Sequence, residues 1–487
     1  MSNTPPVSAP RASLPAWAGL FFFAALTQRL SYDGDVFWHI ATGRWILEHG
    51  TVPARDVFSY TVAGAPWTAH EWLAALVFAC TEQHAGWPGL LVLTAAAAAL
   101  AYALILRFLL LRLQPLYAVP LTALAFFLSL HHFLLRPHVL AMPVLVAWSA
   151  EMFAAADEHR APKLSTVLLM SLWANLHGSF VLGLALCAYL GVEAVMTAAP
   201  DRRLRLAGRW SRFIALALIA ALLTPQGLRG LEFPLLLYGQ PALLNMIDEW
   251  RAPDFHEPQA LEVWLLLAMG FLMSARIRVP PSRMLLVLGF VHMGLHHIRH
   301  VTILGMLSPL ALAEPLRRWG AGEAAGRWTP TSFNGVCRRL ASTSGWRTRV
   351  ALTVLTALAI AAPYARGLGP RSDEGPLGAI RQARSMAVTG PVLNAPIFGG
   401  HLIYSGIPPF IDGRFDLYGG RFVSRYVAAI NLSDGRQLET LLDQWGIEWT
   451  LFEPYRPINA WLDRSGGWKR IYEDATAVAQ IRCHGPC

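Results

Sequence analysis

Charged residues and cysteines are scarce in this chain of 487 residues. Only 15% of the residues are charged, whereas soluble domains carry about 25%, and the mean hydropathy is +0.40. The five cysteines show no spacing typical of a metal site. This composition argues against an ordinary soluble protein and predicts an α-helical polytopic membrane protein.

Several familiar catalytic patterns are also missing. The sequence contains no Walker loop, no dinucleotide fingerprint after a strand, no Gly-x-Ser-x-Gly elbow and no His-Glu-x-x-His. These absences argue against an ATPase, a Rossmann enzyme, a serine hydrolase and a zincin. The net charge of +9 does not indicate a nucleic-acid partner, because the basic residues lie in short loops such as 201–212.

Apolar runs predict about eleven membrane spans. They lie at 14–30, 88–111, 116–131, 137–156, 164–176, 178–197, 212–224, 259–275, 283–299, 301–316 and 349–363. Lys and Arg are concentrated in alternate loops, which places these loops and the N-terminus in the cytoplasm and the tail outside. The basic loops are 112–115, 157–163, 198–211, 276–282 and 317–348.

The domain organisation follows from this pattern. Residues 1–13 are polar and Pro-rich, and we expect them to be disordered. Residues 14–364 form the transmembrane domain, whose first external loop, 31–87, is expected to hold juxtamembrane helices. Residues 365–487 are predicted to be a small α/β domain. Its expected elements are strands at 391–394, 409–412 and 449–452, helices at 422–430 and 437–445, and a hairpin at 468–482.

Two further apolar segments do not fit the count of spans. Residues 71–82 are too short, and residues 231–246 are interrupted by Pro and Gly. Treating the first as a span would invert every later loop and break the charge rule. We therefore interpret both as interfacial or partly inserted helices on the outer side.

An unusually polar island, residues 32–72, follows the first span. If a helix starts near Asp35, this carboxylate lies at or near its N-terminus, where the helix dipole favours a negative charge, and His39 lies one turn later. Such a carboxylate could accept a proton or bind a metal. The alternative is that Asp35 only caps the helix. Other pocket candidates in the island are Asp56, His70 and Glu71.

Basic residues recur at the predicted outer ends of the later spans. Together they could form a pocket for a phosphate or pyrophosphate, with Arg as the bidentate element. Singly, each His is more often a cap or an interfacial residue. The candidates are Arg136, His138, His177, His297, Arg299 and His300, with Asn175 and Glu249 beside them.

The island and four later motifs resemble bacterial members of the GT-C glycosyltransferase superfamily, which use sugars linked to polyprenyl phosphate. The island reads Asp-Gly-Asp-Val-Phe-Trp-His from Asp33, with Pro-Trp-Thr-Ala-His-Glu-Trp further on. The later motifs are Asn175-Leu-His-Gly, Thr224-Pro-Gln-Gly, Asp248-Glu-Trp and Phe410-Ile-Asp-Gly-Arg-Phe-Asp-Leu-Tyr-Gly. The chain lacks the Asp-Glu pair and Pro-Pro-Leu-Tyr-Tyr-type segment of the aminoarabinose and protein-mannosyl branches, which leaves the donor and acceptor open.

The resemblance implies an inverting sugar transferase in the bacterial inner membrane with a periplasmic tail domain. Asp35 would be the general base or a metal-associated carboxylate, with Asp33 as the second candidate, and a divalent cation such as Mg²⁺ or Mn²⁺ the one cofactor implied. The basic residues would hold the lipid phosphate of the donor. The expected partners are a lipid-linked sugar, a lipid, glycan or protein acceptor, and membrane lipids.

Two other classes of function remain open from the residues. A glycolipid transporter or flippase could use the same basic pocket without chemistry, although we find no paired halves. A non-catalytic envelope assembly protein would depend more on Asp412, Arg414 and Asp416 than on Asp35. The plainest interpretation of that trio is an exposed turn with a local ion pair.

Overall fold

The computed structural model describes residues 13–27, 33–239, 244, 247–274, 277–320, 331–342, 345–433 and 435–485. The chain divides into two compact units. The first combines residues 1–31, 91–234 and 245–367, and the second combines residues 32–90, 235–244 and 368–487. The expected disorder of residues 1–13 falls, except for Ser13, outside the described residues.

The first unit is built from helices, several of which begin with Pro, a residue whose fixed φ suits the first helical turn. Its α-helices are Ser13–Leu26, Pro115–Leu128, Pro137–Asp157, Val167–Leu176, Phe180–Thr197, Pro200–Ala221, Leu228–Tyr238, Ala260–Ser274, Pro281–His296, Val301–Gly320, Phe333–Ser342 and Trp346–Ala365. Short 3₁₀ helices are Leu130–His132, Leu164–Thr166, Asp248–Trp250 and Ile298–His300.

Each of the predicted spans coincides with a helix, which confirms the predicted fold class of a polytopic, mainly helical membrane protein. In the part of the chain described, four helices are long and apolar enough to cross a membrane. They are Trp72–Leu110, Pro137–Asp157, Phe180–Thr197 and Trp346–Ala365. The other predicted spans are shorter or more polar helices, and two of them, Pro115–Leu128 and Val301–Gly320, contain an internal Pro.

The helix Trp72–Leu110 is interrupted at Gly86, whose φ of 63° and ψ of −169° are not helical, and Pro88 follows two residues later. Glycine adopts this backbone without steric cost, and Pro88 removes a helical N–H donor. The chain therefore runs through two helical segments here, in the places where we expected a short helix at 71–82 and a span at 88–111. The second expected interfacial segment, 231–246, falls partly outside the described residues.

A buried ion-pair triad joins three helix ends in the first unit. Arg283, only 3% exposed, donates to Asp157 and to Glu193, both at 2.7 Å. It also lies over the ring of Phe153 at 4.9 Å. Each buried charge is paired, as burial requires. The triad therefore ties the ends of Pro137–Asp157 and Phe180–Thr197 to the start of Pro281–His296.

The second unit combines the first loop with the tail. Its α-helices are Gly34–His49, Gly375–Ser385, Pro396–Tyr404, Phe415–Tyr418, Gly420–Ile430, Gly435–Gln444 and Pro457–Arg464. Its strands are β1 (Val392–Asn394), β2 (Trp449–Phe452), β3 (Trp468–Glu473) and β4 (Val478–Arg482). They form one sheet in the order β1-β2-β4-β3, with β1 parallel to β2 and the other pairs antiparallel.

The predicted strand at 409–412 is wrong. Its backbone pairs with a side chain instead of another strand. The buried amide of Asn394 accepts from Phe410 N at 2.9 Å and donates to the carbonyl of Ile411 at 2.7 Å. Thr61 donates to the carbonyl of Phe410 at 2.7 Å. These partners satisfy the buried polar groups as a ladder would, so the apolar run remains extended without joining the sheet.

Two helices of the second unit approach each other through glycine. We call Gly34–His49 the loop helix and Pro396–Tyr404 the tail helix. A methyl group on Gly34 would overlap the carbonyl of Ile397, and one on Gly400 would overlap the carbonyl of Gly34. Backbones come this close only where side chains are missing. The sequence boundary at 364 placed the first loop with the transmembrane domain, whereas the structure groups it with the tail.

A polar contact at the other end of the loop helix supports the same packing. Arg44 donates to Glu82 at 2.7 Å and lies over the ring of Tyr404 at 4.5 Å. The hydroxyl of Tyr404 donates to Glu82 at 3.0 Å. One residue from each of three helices is therefore joined in a single hydrogen-bonded group.

Candidate functional site

Asp35 lies in the first turn of the loop helix, as the sequence predicted. Asp33 is the N-cap residue, and its carboxylate accepts from the backbone N–H of Asp35 at 2.6 Å. The Asp35 carboxylate is half-buried and accepts from the indole N–H of Trp38 at 3.0 Å. The capping role thus belongs to Asp33 and not to Asp35.

His39, His70 and Glu71 lie together in the same unit. The carboxylate of Glu71 is 3.5 Å from Nε2 of His39 and 3.7 Å from Nε2 of His70. His39 is 3% exposed, whereas His70 is 26% exposed. His39 is therefore a buried partner of Glu71, and His70 is the one of the two imidazoles that solvent reaches.

A second group of charges is completely buried. Arg414 forms ion pairs with Asp412 at 2.7 Å and with Asp56 at 2.9 Å, and all three side chains are at most 2% exposed. Tyr418 donates its hydroxyl to Asp412 at 2.7 Å. We call these four residues the Arg414 cluster. Its position contradicts the expected exposed turn, although the expected local ion pair between Asp412 and Arg414 is present.

Asp56 also fixes its own loop. Its carboxylate accepts from the backbone N–H groups of Phe58 at 3.3 Å and Ser59 at 3.0 Å, and from the hydroxyl of Ser59 at 2.5 Å. A buried carboxylate with this many partners is a scaffold group. Asp56, one of the predicted pocket candidates, is buried in the protein interior.

The Arg414 cluster favours the ionised form of Asp412. Burial pushes the pKa of Asp412 upward, but the charge and hydrogen bonds of Arg414 outweigh it, so this pKa lies below its ordinary value. Burial dominates for Asp416 and raises its pKa, against the charges of His70 and Arg414. His70 and Asp416 are therefore electrostatic neighbours across the loop and the tail.

Gly413 brings this cluster to Asp35. A methyl group at Gly413 would overlap Oδ1 of Asp35. Gly413 stands between the two residues of the internal ion pair, Asp412 and Arg414. The backbone next to the Asp35 carboxylate is thus held from both sides by a fully buried network.

The first unit contains the predicted basic residues, which we call the basic cluster. Arg136 precedes the helix Pro137–Asp157 and donates to Glu249 at 2.6 Å, with both side chains about one quarter exposed. Arg299 lies over the ring of Trp250 at 4.5 Å. Trp250 comes directly after Glu249, so the Asp248–Trp250 turn contacts both arginines.

Imidazoles extend the basic cluster on both sides of this turn. His297 Nδ1 lies 2.5 Å from the carbonyl of Trp250, and the rings of His297 and His300 are 5.3 Å apart. The rings of His138 and His177 are 6.2 Å apart. His138 Nε2 lies 2.8 Å from the carbonyl of His132.

Burial, aided by nearby positive charge, favours the neutral form of His300 and His132. Burial and then Arg299 lower the pKa of His300 to about 3. Burial, followed by His138, Arg299 and Arg136, lowers the pKa of His132 well below its ordinary value. The influence of both arginines on one imidazole indicates that the predicted donor-phosphate residues lie around one locus.

Asn175 has a structural role in the same unit. Its amide donates to the carbonyl of Ser171 at 2.8 Å and to that of Leu223 at 3.0 Å. Nearby, Nδ1 of His177 accepts from the backbone N–H of Ser179 at 3.1 Å. In the neutral ring this places the proton on Nε2.

The implied divalent cation does not fit these residues. Within the described ranges, no three His, Cys, Asp or Glu side chains come together in a way that could hold a metal ion. Asp33, the natural second ligand beside Asp35, is used as the helix cap. We therefore derive no step through a metal.

The predicted residues fall into two groups. Asp33, Asp35, His39, Asp56, His70 and Glu71 belong to the second unit, and Arg136, His138, Asn175, His177, Glu249, His297, Arg299 and His300 belong to the first. Sequence reasoning missed Trp38, Gly413 and Trp250 as members of these groups. A usable signal was the pair of Asp-Gly motifs, since Asp33-Gly34 and Asp412-Gly413 both lie at the contact with Asp35.

No family model matches this chain, and no curated protein matches it. Among solved structures it is similar to ArnT from Cupriavidus metallidurans bound to undecaprenyl phosphate. This match has 13% identity, 97% of this chain covered, 98% of that one and a TM-score of 0.49. It is also similar to the archaeal oligosaccharyltransferase AglB from Archaeoglobus fulgidus, in complex with an inhibitory peptide and a dolichol-phosphate. This second match has 10% identity, 90% of this chain covered, 69% of that one and a TM-score of 0.48. The function is therefore argued from the chain's own residues.

Proposed function

We propose that this membrane protein transfers a sugar from a polyprenyl-phosphate donor to a hydroxyl group of an envelope acceptor on the periplasmic face. The observation that carries the proposal is the carboxylate of Asp35. Asp33, and not Asp35, caps the helix. The indole of Trp38 donates to the Asp35 carboxylate, and Gly413 lies against it. A fixed, half-buried carboxylate in a membrane protein is costly unless it is used.

Asp35 acts as the general base in this proposal. The acceptor oxygen attacks the anomeric carbon, its proton passes to Asp35, and the bond from that carbon to the phosphate oxygen breaks. The electron pair leaves with the polyprenyl phosphate, and a single displacement inverts the anomeric centre. One carboxylate suffices, because the leaving phosphate needs no proton from an acid.

The basic cluster stabilises the leaving phosphate. Arg136 and Arg299 supply permanent positive charge, and His177 belongs to the same cluster. Arg136 is already paired with Glu249 at 2.6 Å. A phosphate therefore competes with Glu249 for this guanidinium, which keeps the affinity for the released lipid moderate.

The assembly-protein alternative loses support from burial. It relied on Asp412, Arg414 and Asp416 as a surface for a partner. The side chains of Asp412 and Arg414 are 0% and 2% exposed, and they pair with each other. They cannot contact a partner without unfolding of their surroundings.

The test is the variant Asp35→Asn in proteoliposomes. Asparagine retains the size and the acceptor for Trp38 but removes the basicity. The probe is undecaprenyl phosphate carrying a radiolabelled hexose or pentose, with an envelope extract as acceptor. Release of undecaprenyl phosphate is measured. We expect the variant to lose activity by about 10²–10⁴-fold.

Glu48→Gln is the matched control, because Glu48 is an exposed carboxylate on the same helix. It should release the lipid at the rate of the unmodified protein. Full activity in Asp35→Asn would remove Asp35 as the base. No release with any sugar in the unmodified protein would contradict the transferase proposal itself.

A further inference from the structure

The tail segment 412–414 lies against the Asp35 carboxylate although it belongs to the far end of the chain. We propose that this segment positions the carboxylate of Asp35, with Gly413 as the contacting residue and Arg414 as its anchor. The inference rests on the proposed role of Asp35 as the base. It makes the tail domain a part of the catalytic apparatus and not an appended module.

The contact itself depends on the absence of a side chain. A Cβ at residue 413 would overlap Oδ1 of Asp35, and the other atoms of the carboxylate would also be near. The backbone of Gly413 is not in the left-handed region, so alanine is compatible with its conformation. Glycine is therefore required at this position for space and not for backbone geometry.

The anchor prevents Gly413 from moving away. The neighbouring residues, Asp412 and Arg414, form a bidentate ion pair at 2.9 and 2.7 Å. Arg414 also pairs with Asp56 of the first loop at 2.9 Å. Since Asp35 and Asp56 belong to one loop, Arg414 ties the tail to the same stretch of chain that carries the base.

Two further contacts restrict Asp35 from within its own helix end. The indole N–H of Trp38 fixes Oδ1 at 3.0 Å, and Asp33 fixes the backbone of Asp35 at 2.6 Å. Together with Gly413, these contacts hold the carboxylate in one orientation. A general base requires such a fixed geometry, because small displacements of a reacting group are expensive in rate.

The variant Gly413→Ala tests this role. The added methyl group meets the end of a side chain, so the carboxylate is displaced while the fold persists. We expect kcat for undecaprenyl-phosphate-sugar to fall by about 100-fold, with KM nearly unchanged because the donor phosphate is bound elsewhere. Gly420→Ala is the matched control, since no atom lies within 4 Å of a methyl group there. It should retain the kcat of the unmodified protein.

A stability cycle separates the contact from the chemistry. Gly413→Ala should lower the melting temperature in the unmodified protein, but not in an Asp35→Ala background, where the carboxylate is missing. Equal shifts in both backgrounds would show that the residues do not touch and would overturn the proposal. An unchanged kcat in Gly413→Ala would overturn the positioning role even if the cycle shows coupling.

A cysteine pair covers the case in which Gly413→Ala does not fold. The double variant Asp35→Cys/Gly413→Cys should form a disulfide on oxidation, whereas Asp35→Cys/Gly420→Cys should not. Failure of the first pair to cross-link contradicts the contact. Activity retained by Asp35→Asn would instead count against the proposed base, and the cycle would still decide whether the tail contacts Asp35.

Discussion

In the Arg414 cluster every charged side chain is buried and paired with an opposite charge, whereas the arginines of the basic cluster are partly exposed. Arg414 is 2% exposed and lies between two carboxylates. Arg136 is 24% exposed and pairs with one carboxylate that is itself 25% exposed. The difference indicates that the first cluster holds the fold in place and that the second is arranged for an anionic ligand.

The largest expected effect is from Arg414→Met. This change leaves Asp56 and Asp412 buried without a counter-charge, which costs about 3–5 kcal/mol. Urea or thermal unfolding and protease sensitivity of the tail would measure it. The control is Arg425→Met, at an exposed position of the same unit. A loss below about 1 kcal/mol would mean that the cluster is less buried than described.

A smaller loss is expected from Gly34→Ala. The added methyl group would meet the carbonyl of Ile397, a backbone atom that cannot rotate aside. Separating the loop and tail helices should cost about 1–3 kcal/mol. Thermal unfolding of the variant beside Gly420→Ala tests this. Equal melting temperatures would contradict the glycine-mediated packing.

The stability of the first unit should depend on pH in mild acid, because His300 is buried. The pKa of a histidine is about 6.5 in an unfolded chain, and burial lowers the pKa of His300 to about 3 in the folded state. Between these values the unfolded state binds more protons, so the first unit loses stability as the pH falls below about 6.5, by about 2 kcal/mol at pH 5. The pKa of Asp412 is lowered, so its contribution is complete above about pH 4 and is lost only in stronger acid.

Hydrogen exchange or limited proteolysis between pH 7 and pH 5 would resolve the two units. We expect protection to decrease in both units, because burial also lowers the pKa of His401, on the tail helix, to about 4. His300→Gln should flatten the pH dependence of the first unit. Unchanged protection of the first unit between pH 7 and pH 5 would contradict the assignment of a neutral, buried His300.

The smallest expected effect concerns ligand affinity. Glu249→Gln frees Arg136 from its ion pair, and binding of undecaprenyl phosphate should strengthen by about 1 kcal/mol, roughly fivefold. Arg136→Gln should weaken it. Glu257→Gln, at an exposed position, is the control. Unchanged binding in both Arg136→Gln and Glu249→Gln would remove Arg136 from the phosphate site.

Local signals in the sequence identified the helices and most strands. The apolar runs coincide with helices because length and hydropathy are local properties. The capping of the loop helix was also predictable, since Asp-Gly-Asp precedes the apolar pattern. The hairpin of β3 and β4 followed from its alternation of residues.

The wrong predictions concern residues whose hydrogen-bond or ion-pair partners are distant in the sequence. Residues 409–412 have the composition of a buried strand, but their hydrogen bonds go to Asn394 and Thr61. Asp412 and Arg414 look like an exposed turn because their third partner, Asp56, belongs to the first loop.

The composition of the second unit has a consequence for biosynthesis. Residues 32–90 leave the ribosome early, but their partners in 368–487 are made only after the whole of 91–367. At about 5–20 residues per second the interval is tens of seconds. During that time the apolar face of the loop helix, with Phe37 and Ile40, lacks the cover that the tail helix gives it. A nascent chain interrupted before the tail would therefore expose this face, and we expect quality-control proteases to remove it.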